Sequence, residues 1–123
     1  MRFENMGIEN RELPLNILDH LMKENGFVRA GQWDYERVTY DYKFESMADG
    51  AVYYLRIQGY AVEGAIDTSH AVIETMVPLL GRHYYPHGVE YEGEQFPKNI
   101  VQASANQLEK VKAAMDDAIE NAL

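Results

Sequence analysis

The clearest pattern in the chain is a strict alternation from Val38 to Phe44. Val38, Tyr40, Tyr42 and Phe44 fall on one side, and Thr39, Asp41 and Lys43 on the other. Successive side chains of a strand point to opposite faces, so a period of two predicts a half-buried β-strand. A second alternation runs from Val52 to Val62. Tyr53, Leu55 and Ile57 form its apolar row; Tyr54, Arg56, Gln58 and Tyr60 form the other. Gly59 within it marks a bulge or bend. Met47-Ala48-Asp49-Gly50 supplies turn residues between the two strands. Two further strands are predicted, from Phe27 to Trp33 and from about Ala71 to Val77, the latter ending at Pro78. The link Asp34-Tyr35-Glu36-Arg37 is short enough only for a hairpin.

A helical period appears near each end. From Pro14 to Asn25, Leu15, Leu18, Leu21 and Met22 recur at a spacing of about 3.6 residues. Pro14 suits the first helical position, where its missing N–H is not needed, and Gly26 suits the stop. From Ser104 to Asn121, Leu108, Val111, Met115 and Ile119 make a second stripe. Asp116, Asp117 and Glu120 oppose the helix dipole there, which predicts fraying. The first ten residues are polar and expected to be loose, with a short extended piece near Ile8. Gly81 to Lys98 holds Gly81, Pro86, Gly88, Gly93 and Pro97 and predicts a long irregular loop, the kind of segment that often carries function.

Sequential strands joined by short turns make a meander. The expected architecture is therefore α+β over residues 1–123: a four-stranded antiparallel sheet with an N-terminal and a C-terminal helix packed on one face. Val38, Tyr40, Tyr42, Phe44, Tyr53, Leu55 and Ile57, with Ala71, Ile73 and Val77, would face those helices. Thr39, Asp41, Lys43, Tyr54, Arg56, Gln58 and Tyr60, with Val72, Glu74 and Met76, would form a second face, too apolar for a wet surface and too polar for a core.

Composition narrows the function. A length of 123 residues fits one domain that can hold a real core. Twenty acidic residues stand against 11 basic ones, a net charge of -9. Binding to nucleic acid or to an anionic membrane needs clustered Lys and Arg, so both are excluded as partners. Cysteine is absent, which removes disulfides, thiolate metal sites and a Cys nucleophile. The first residues lack the apolar core of a secretory signal, and no run approaches the roughly 18–20 apolar residues of a membrane span. The expected compartment is the cytoplasm.

Gly31-Gln32-Trp33-Asp34-Tyr35, Tyr40-Asp41-Tyr42-Lys43 and Tyr54-Leu55-Arg56-Ile57, in that order, resemble the YugN-like family of small proteins from Bacillus-type bacteria. Ala61-Val62-Glu63-Gly64-Ala65-Ile66-Asp67 and Thr75-Met76-Val77-Pro78-Leu79-Leu80 continue the resemblance, which spans roughly Gly26 to Tyr85. It implies an α+β fold. It carries over no substrate, cofactor or catalytic residue.

Candidate chemistry is sparse. His83 and His87 stand four apart, the spacing of helical zinc pairs, but Pro86 between them and Gly88 after them argue against a helix. A loop would have to bring the two rings together, with Glu90, Glu92 or Glu94 adding a carboxylate; two exposed histidines beside a solvated acidic run is the simpler account. Asp41, Lys43, Arg56 and Glu74 read as cross-strand ion pairs. Arg56, flanked by Tyr54 and Gln58, is the best recognition residue, because Arg and Tyr are enriched at binding hot spots. Nine tyrosines suit a sheet, yet Tyr54 and Tyr60 on the second face have no core role. No phosphate loop or serine elbow is present. No catalytic residue, metal or cofactor is assigned. The expected function is a non-enzymatic binding or interaction domain acting as a homodimer, with Tyr54, Arg56, Tyr60, His83 and His87 as contact residues. The alternative is a small-molecule or metal-binding enzyme built on the 81–98 loop with His83 and His87.

Overall fold

The computed structural model describes residues 1–30, 34–47, 49–66, 70–84, 88–90 and 95–121. Trp33, His87, Glu92 and Glu94 lie outside them. Among the described residues, two helices and an antiparallel sheet make the fold α+β, as the periodicities predict, but the sheet has seven strands rather than four. In chain order the elements are β1 (Glu12–Pro14), α1 (Leu15–Glu24), β2 (Val28–Arg29), β3 (Arg37–Glu45), β4 (Val52–Glu63), β5 (Val72–Thr75), β6 (Leu79–Tyr84), β7 (Gly88–Glu90) and α2 (Lys98–Asn121).

The two clean alternations become the centre of the sheet. β3 pairs with β4 from Arg37↔Tyr60 to Glu45↔Val52 without a break. Gly59 is therefore no bulge against β3. A Cβ on it would stand 2.3 Å from Ile73 Cγ2, so close packing against β5 is what requires glycine there. The irregularity lies further on, between Ala61 and Glu63.

The other edge of β4 is shared. β5 pairs with its far half, up to Gly59↔Thr75, and β6 resumes along its near half from Arg56↔Leu79 to Val52↔His83. Three residue steps on β4 thus oppose four on the partner chain, so Met76-Val77-Pro78 carries one extra residue. Pro78 has no N–H to give a ladder, which makes this the natural place for the break. An extra residue inverts the alternation. Ala71, Ile73 and Thr75 are buried before it and Leu80 after it, while Val77 is only half-buried. The expected loop from Gly81 accordingly begins as strand, and β6 continues into a hairpin with β7 through Arg82↔Glu90 and Tyr84↔Gly88.

The first residues are tied down rather than loose. Phe3 N donates to Pro78 O at 2.9 Å and Leu80 N to Met1 O at 2.8 Å, so the chain start lies along β6. Phe3 and Ile8 are buried. Thr75 Oγ1 donates to Ile8 O at 2.5 Å and accepts from Arg11 N at 3.0 Å, and β1 then pairs with β5 through Leu13↔Ile73.

Helix α1 buries Leu15, Leu18, Leu21 and Met22. Pro14 is its N-cap, one position before the expected first turn. Gly26 takes a φ of 82°; its N–H reaches Lys23 O at 3.1 Å and Phe27 N–H reaches Met22 O at 3.0 Å. These two bonds satisfy carbonyls the helix would otherwise leave open, and buried Phe27 packs where such an ending places an apolar residue. Helix α2 starts six residues before the expected Ser104, with Ile100 N donating to Pro97 O at 3.0 Å. It buries Ile100, Ser104, Leu108, Val111 and Met115. Side chains from both helices and from Val38, Tyr40, Tyr53, Leu55, Ile57 and Ile73 belong to one hydrophobic core. No helix among the described residues is long and apolar enough to cross a membrane.

The second sheet face as candidate functional site

The register fixes which side chains share the face opposite that core. Asp41 pairs with Arg56, Arg56 with Leu79, and Val28 with Asp41. One pleat along, Lys43 faces Tyr54 and Tyr54 faces Gly81; one further, Val52 faces His83, which faces Val89. In the other direction lie Thr39↔Gln58 and then Tyr60, between Arg37 and Glu74. Tyr54, Arg56, Tyr60 and His83 thus stand on one face, although the sequence places His83 in a separate loop. The extra residue before Pro78 turns His83 to this side.

The polar groups are mostly paired within the face. Arg56 holds Asp41 with two parallel bonds, Nε to Oδ1 at 2.7 Å and Nη2 to Oδ2 at 2.9 Å. This fork geometry is the strongest ion pair available to the pair of types, and it is half sheltered, with side-chain exposures of 25% and 17%. Lys43 bonds Glu45 along its own strand at 3.1 Å. The Tyr60 hydroxyl donates to Glu74 Oε2. That bond to a carboxylate, with a smaller contribution from burial, pushes the Tyr60 hydroxyl above its usual range, so it stays a donor. The expected charged row of Asp41, Lys43, Arg56 and Glu74 therefore resolves into three separate pairs.

His83 meets the Tyr54 ring edge-on, with centroids 5.9 Å apart. His87, its expected partner, is outside the described residues, as are Glu92 and Glu94. Among the described residues no three His, Asp or Glu side chains converge as metal ligands would. A depression of about 510 Å³ at the β2 edge takes Val28, Ala30, Asp41, Lys43 and Tyr54 from this face and Gly26 and Tyr42 from beyond it. What the arrangement offers is recognition: two rings, a fixed guanidinium–carboxylate fork and a hollow beside them.

Sequence reasoning missed the part of this face supplied by β6 and β7. The Leu79-Leu80 pair directly after Pro78 was the available signal, an apolar run resuming behind a break.

Known proteins share this fold. The family model described as "YugN-like family" matches residues 5–122, which extends the resemblance well beyond Gly26–Tyr85 on both sides. "Uncharacterized protein YlbA" of Bacillus subtilis (strain 168) is 50% identical over 120 residues, covering 91% of this chain and 98% of the relative. "Uncharacterized protein YugN" of the same organism is 29% identical over 111 residues, covering 90% and 81%. The crystal structure of the uncharacterized conserved protein YugN from Geobacillus kaustophilus HTA426 superposes with a TM-score of 0.84 at 47% identity, over 98% of each chain. A model match over nearly the whole length, with a relative at half identity, places this chain in the YugN-like family.

Proposed function

We propose that this chain is a non-enzymatic, cytoplasmic binding protein that acts as a homodimer through the second sheet face. The observation that carries the reading is the makeup of that face. The helices share their core with the opposite face, and we take them to cover it, leaving Tyr54, Arg56, Tyr60 and His83 outward. β4 is 12 residues long. A face about 40 Å long and about four strands wide covers roughly 750 Å², close to the ~800 Å² per partner of a standard interface.

Charge favours a second copy as the occupant. Two chains of net -9 repel each other over most of their surfaces. On this face Arg37, Lys43 and Arg56 stand against Asp41, Glu45 and Glu74, with Glu12 beyond them on the edge strand. It is close to neutral, so the repulsion is least where two copies would meet across a two-fold axis. Half-exposed Tyr54 and the sheltered Arg56–Asp41 fork supply aromatic and arginine anchors.

Sedimentation velocity at micromolar concentrations tests the reading. A particle of twice the 14.1 kDa chain mass is expected, and Tyr54→Glu should return it to the monomer with an unchanged circular dichroism spectrum. A wild-type chain that stays monomeric at every concentration would sink the proposal. So would a Tyr54→Glu protein that remains folded and dimeric.

A further inference from the structure

β2 is only two residues long, and a second hollow opens beside it, sharing Val28 with the depression just described. A cavity of about 340 Å³ is lined by Asp19 and Lys23 of α1, by Phe27, Val28 and Arg29, and by Tyr40. Its volume falls within the roughly 300–1,000 Å³ of small-molecule sites, which combine apolar walls with a few convergent polar groups. Both parts are present. Phe27 is buried, whereas Val28, of a type usually interior, is 70% exposed.

The polar groups sit together, and their bonding decides the charge they offer. Asp19 Oδ1 accepts the Tyr40 hydroxyl at 2.5 Å, and Oδ2 accepts Arg29 Nη1 at 3.1 Å. Burial, and then the bond to Asp19, push the Tyr40 hydroxyl far above its ordinary range. The phenol therefore keeps its proton and remains a donor. Arg29 already offsets the charge of Asp19, so this carboxylate exerts little net pull on a cationic ligand. Arg29 has five N–H donors, and one bond to Asp19 leaves others available. Lys23 lies four residues after Asp19, hence on the same helix side. It is exposed, and among the described residues its ammonium has no ion-pair or hydrogen-bond partner. Two cations against one engaged carboxylate make a locally positive end to an apolar hollow, on a chain of net -9.

We infer that this cavity is a binding site for a small amphipathic anion, with a carboxylate head held by Lys23 and Arg29 and an unbranched apolar body lying along Phe27 and Val28. The head meets charge-assisted donors. The body covers valine surface that the fold leaves in water. A neutral alcohol of the same length gains only the second contact, and an alkylammonium is repelled at the head.

Sodium octanoate titrated into the ¹⁵N-labelled chain, followed by amide NMR, tests the site. Saturable shifts are expected at Lys23, Val28 and Arg29, with 1-octanol and octylammonium binding more weakly by about threefold or more, the scale of an exposed charge pair. Lys23→Glu should weaken octanoate by at least as much and Lys23→Arg should not. Both are surface changes whose folding is checked by the unshifted remainder of the spectrum. No saturable shift, equal affinity for octanoate and octanol, or wild-type affinity in Lys23→Glu would each overturn the assignment. Particle mass is measured in parallel, because Val28 pairs with Asp41 of the proposed dimer face, so that failure of this site and failure of the dimer are read apart.

Discussion

Gly59 shows how a single missing side chain sets the packing of the sheet. It lies on β4 between Val38 of β3 and Thr75 of β5. Its absent Cβ leaves room for the Ile73 side chain, whose Cγ2 would otherwise stand at 2.3 Å, with Glu74 O at 3.2 Å. Ile73 is wholly buried and in the core with Ile57 and Leu13, so it has nowhere to retreat without displacing neighbours. Gly59→Ala should therefore destabilise the protein by about 1–3 kcal/mol, the usual cost of overpacking. The measurement is urea unfolding, where the midpoint should fall at constant slope. A wild-type midpoint would show that Ile73 can rotate away at little cost. The sequence exposes the glycine but not its reason. A bulge and a close approach look alike when only the strand's own residues are read, and the neighbour responsible lies on another strand.

The elements legible in the sequence are those whose pattern is local and long. β3 and β4 alternate strictly over most of their lengths, and α1 carries an apolar stripe between Pro14 and Gly26. β1 and β7, at three residues each, are too short for any period to show. β6 was hidden by the extra residue at Met76-Val77-Pro78, which shifts the alternation so that Ile73 and Leu80 both point inward from positions of opposite parity. The same shift is why His83 reads as a loop residue yet joins Tyr54. The early start of α2 was legible in principle, since Pro97 and the Ile100–Ser104 spacing precede the expected boundary. Its far end is where acidic residues predict fraying, and there Asp116 is held from two sides: by Arg11 Nη2 at 2.8 Å and by Lys112 Nζ at 2.7 Å. The bonds to Lys112 and then Arg11 hold the Asp116 carboxyl below its ordinary value of 3.8. A carboxyl whose pKa is depressed by folding stabilises the fold above its unfolded value, and that stability disappears as pH falls through the folded value. Asp116→Asn should thus unfold at a lower temperature than wild type near neutral pH, and the gap should close as pH drops below about 4. Thermal midpoints across that range provide the check, and a gap independent of pH would mean that the ion pairs contribute nothing to the tie between the first residues and α2.

At the scale of the whole molecule, the net charge of -9 works against the proposed self-association. Stacked sheets lie about 10 Å apart, so groups on the second face would meet their counterparts at short range. Most other charges of the two copies would be separated by more than that. The screening length is about 30 Å at 0.01 M salt and about 10 Å at 0.1 M. Raising the salt across this interval therefore removes the long-range repulsion between the two acidic bodies. It weakens close, partly desolvated pairs much less, because salt does not enter them. The proposed dimer should consequently tighten as salt rises, the reverse of an interface built from opposite charges. Acidification toward the isoelectric point near 4.8 should act in the same direction by discharging the carboxylates. Sedimentation equilibrium at the two ionic strengths separates the cases. A dissociation constant that falls with salt assigns the balance to net repulsion acting around a neutral face. One that rises would place the binding energy in ion pairs across the interface, with Arg37 and Lys43 as the first residues to reverse, since Arg56 is already committed to Asp41.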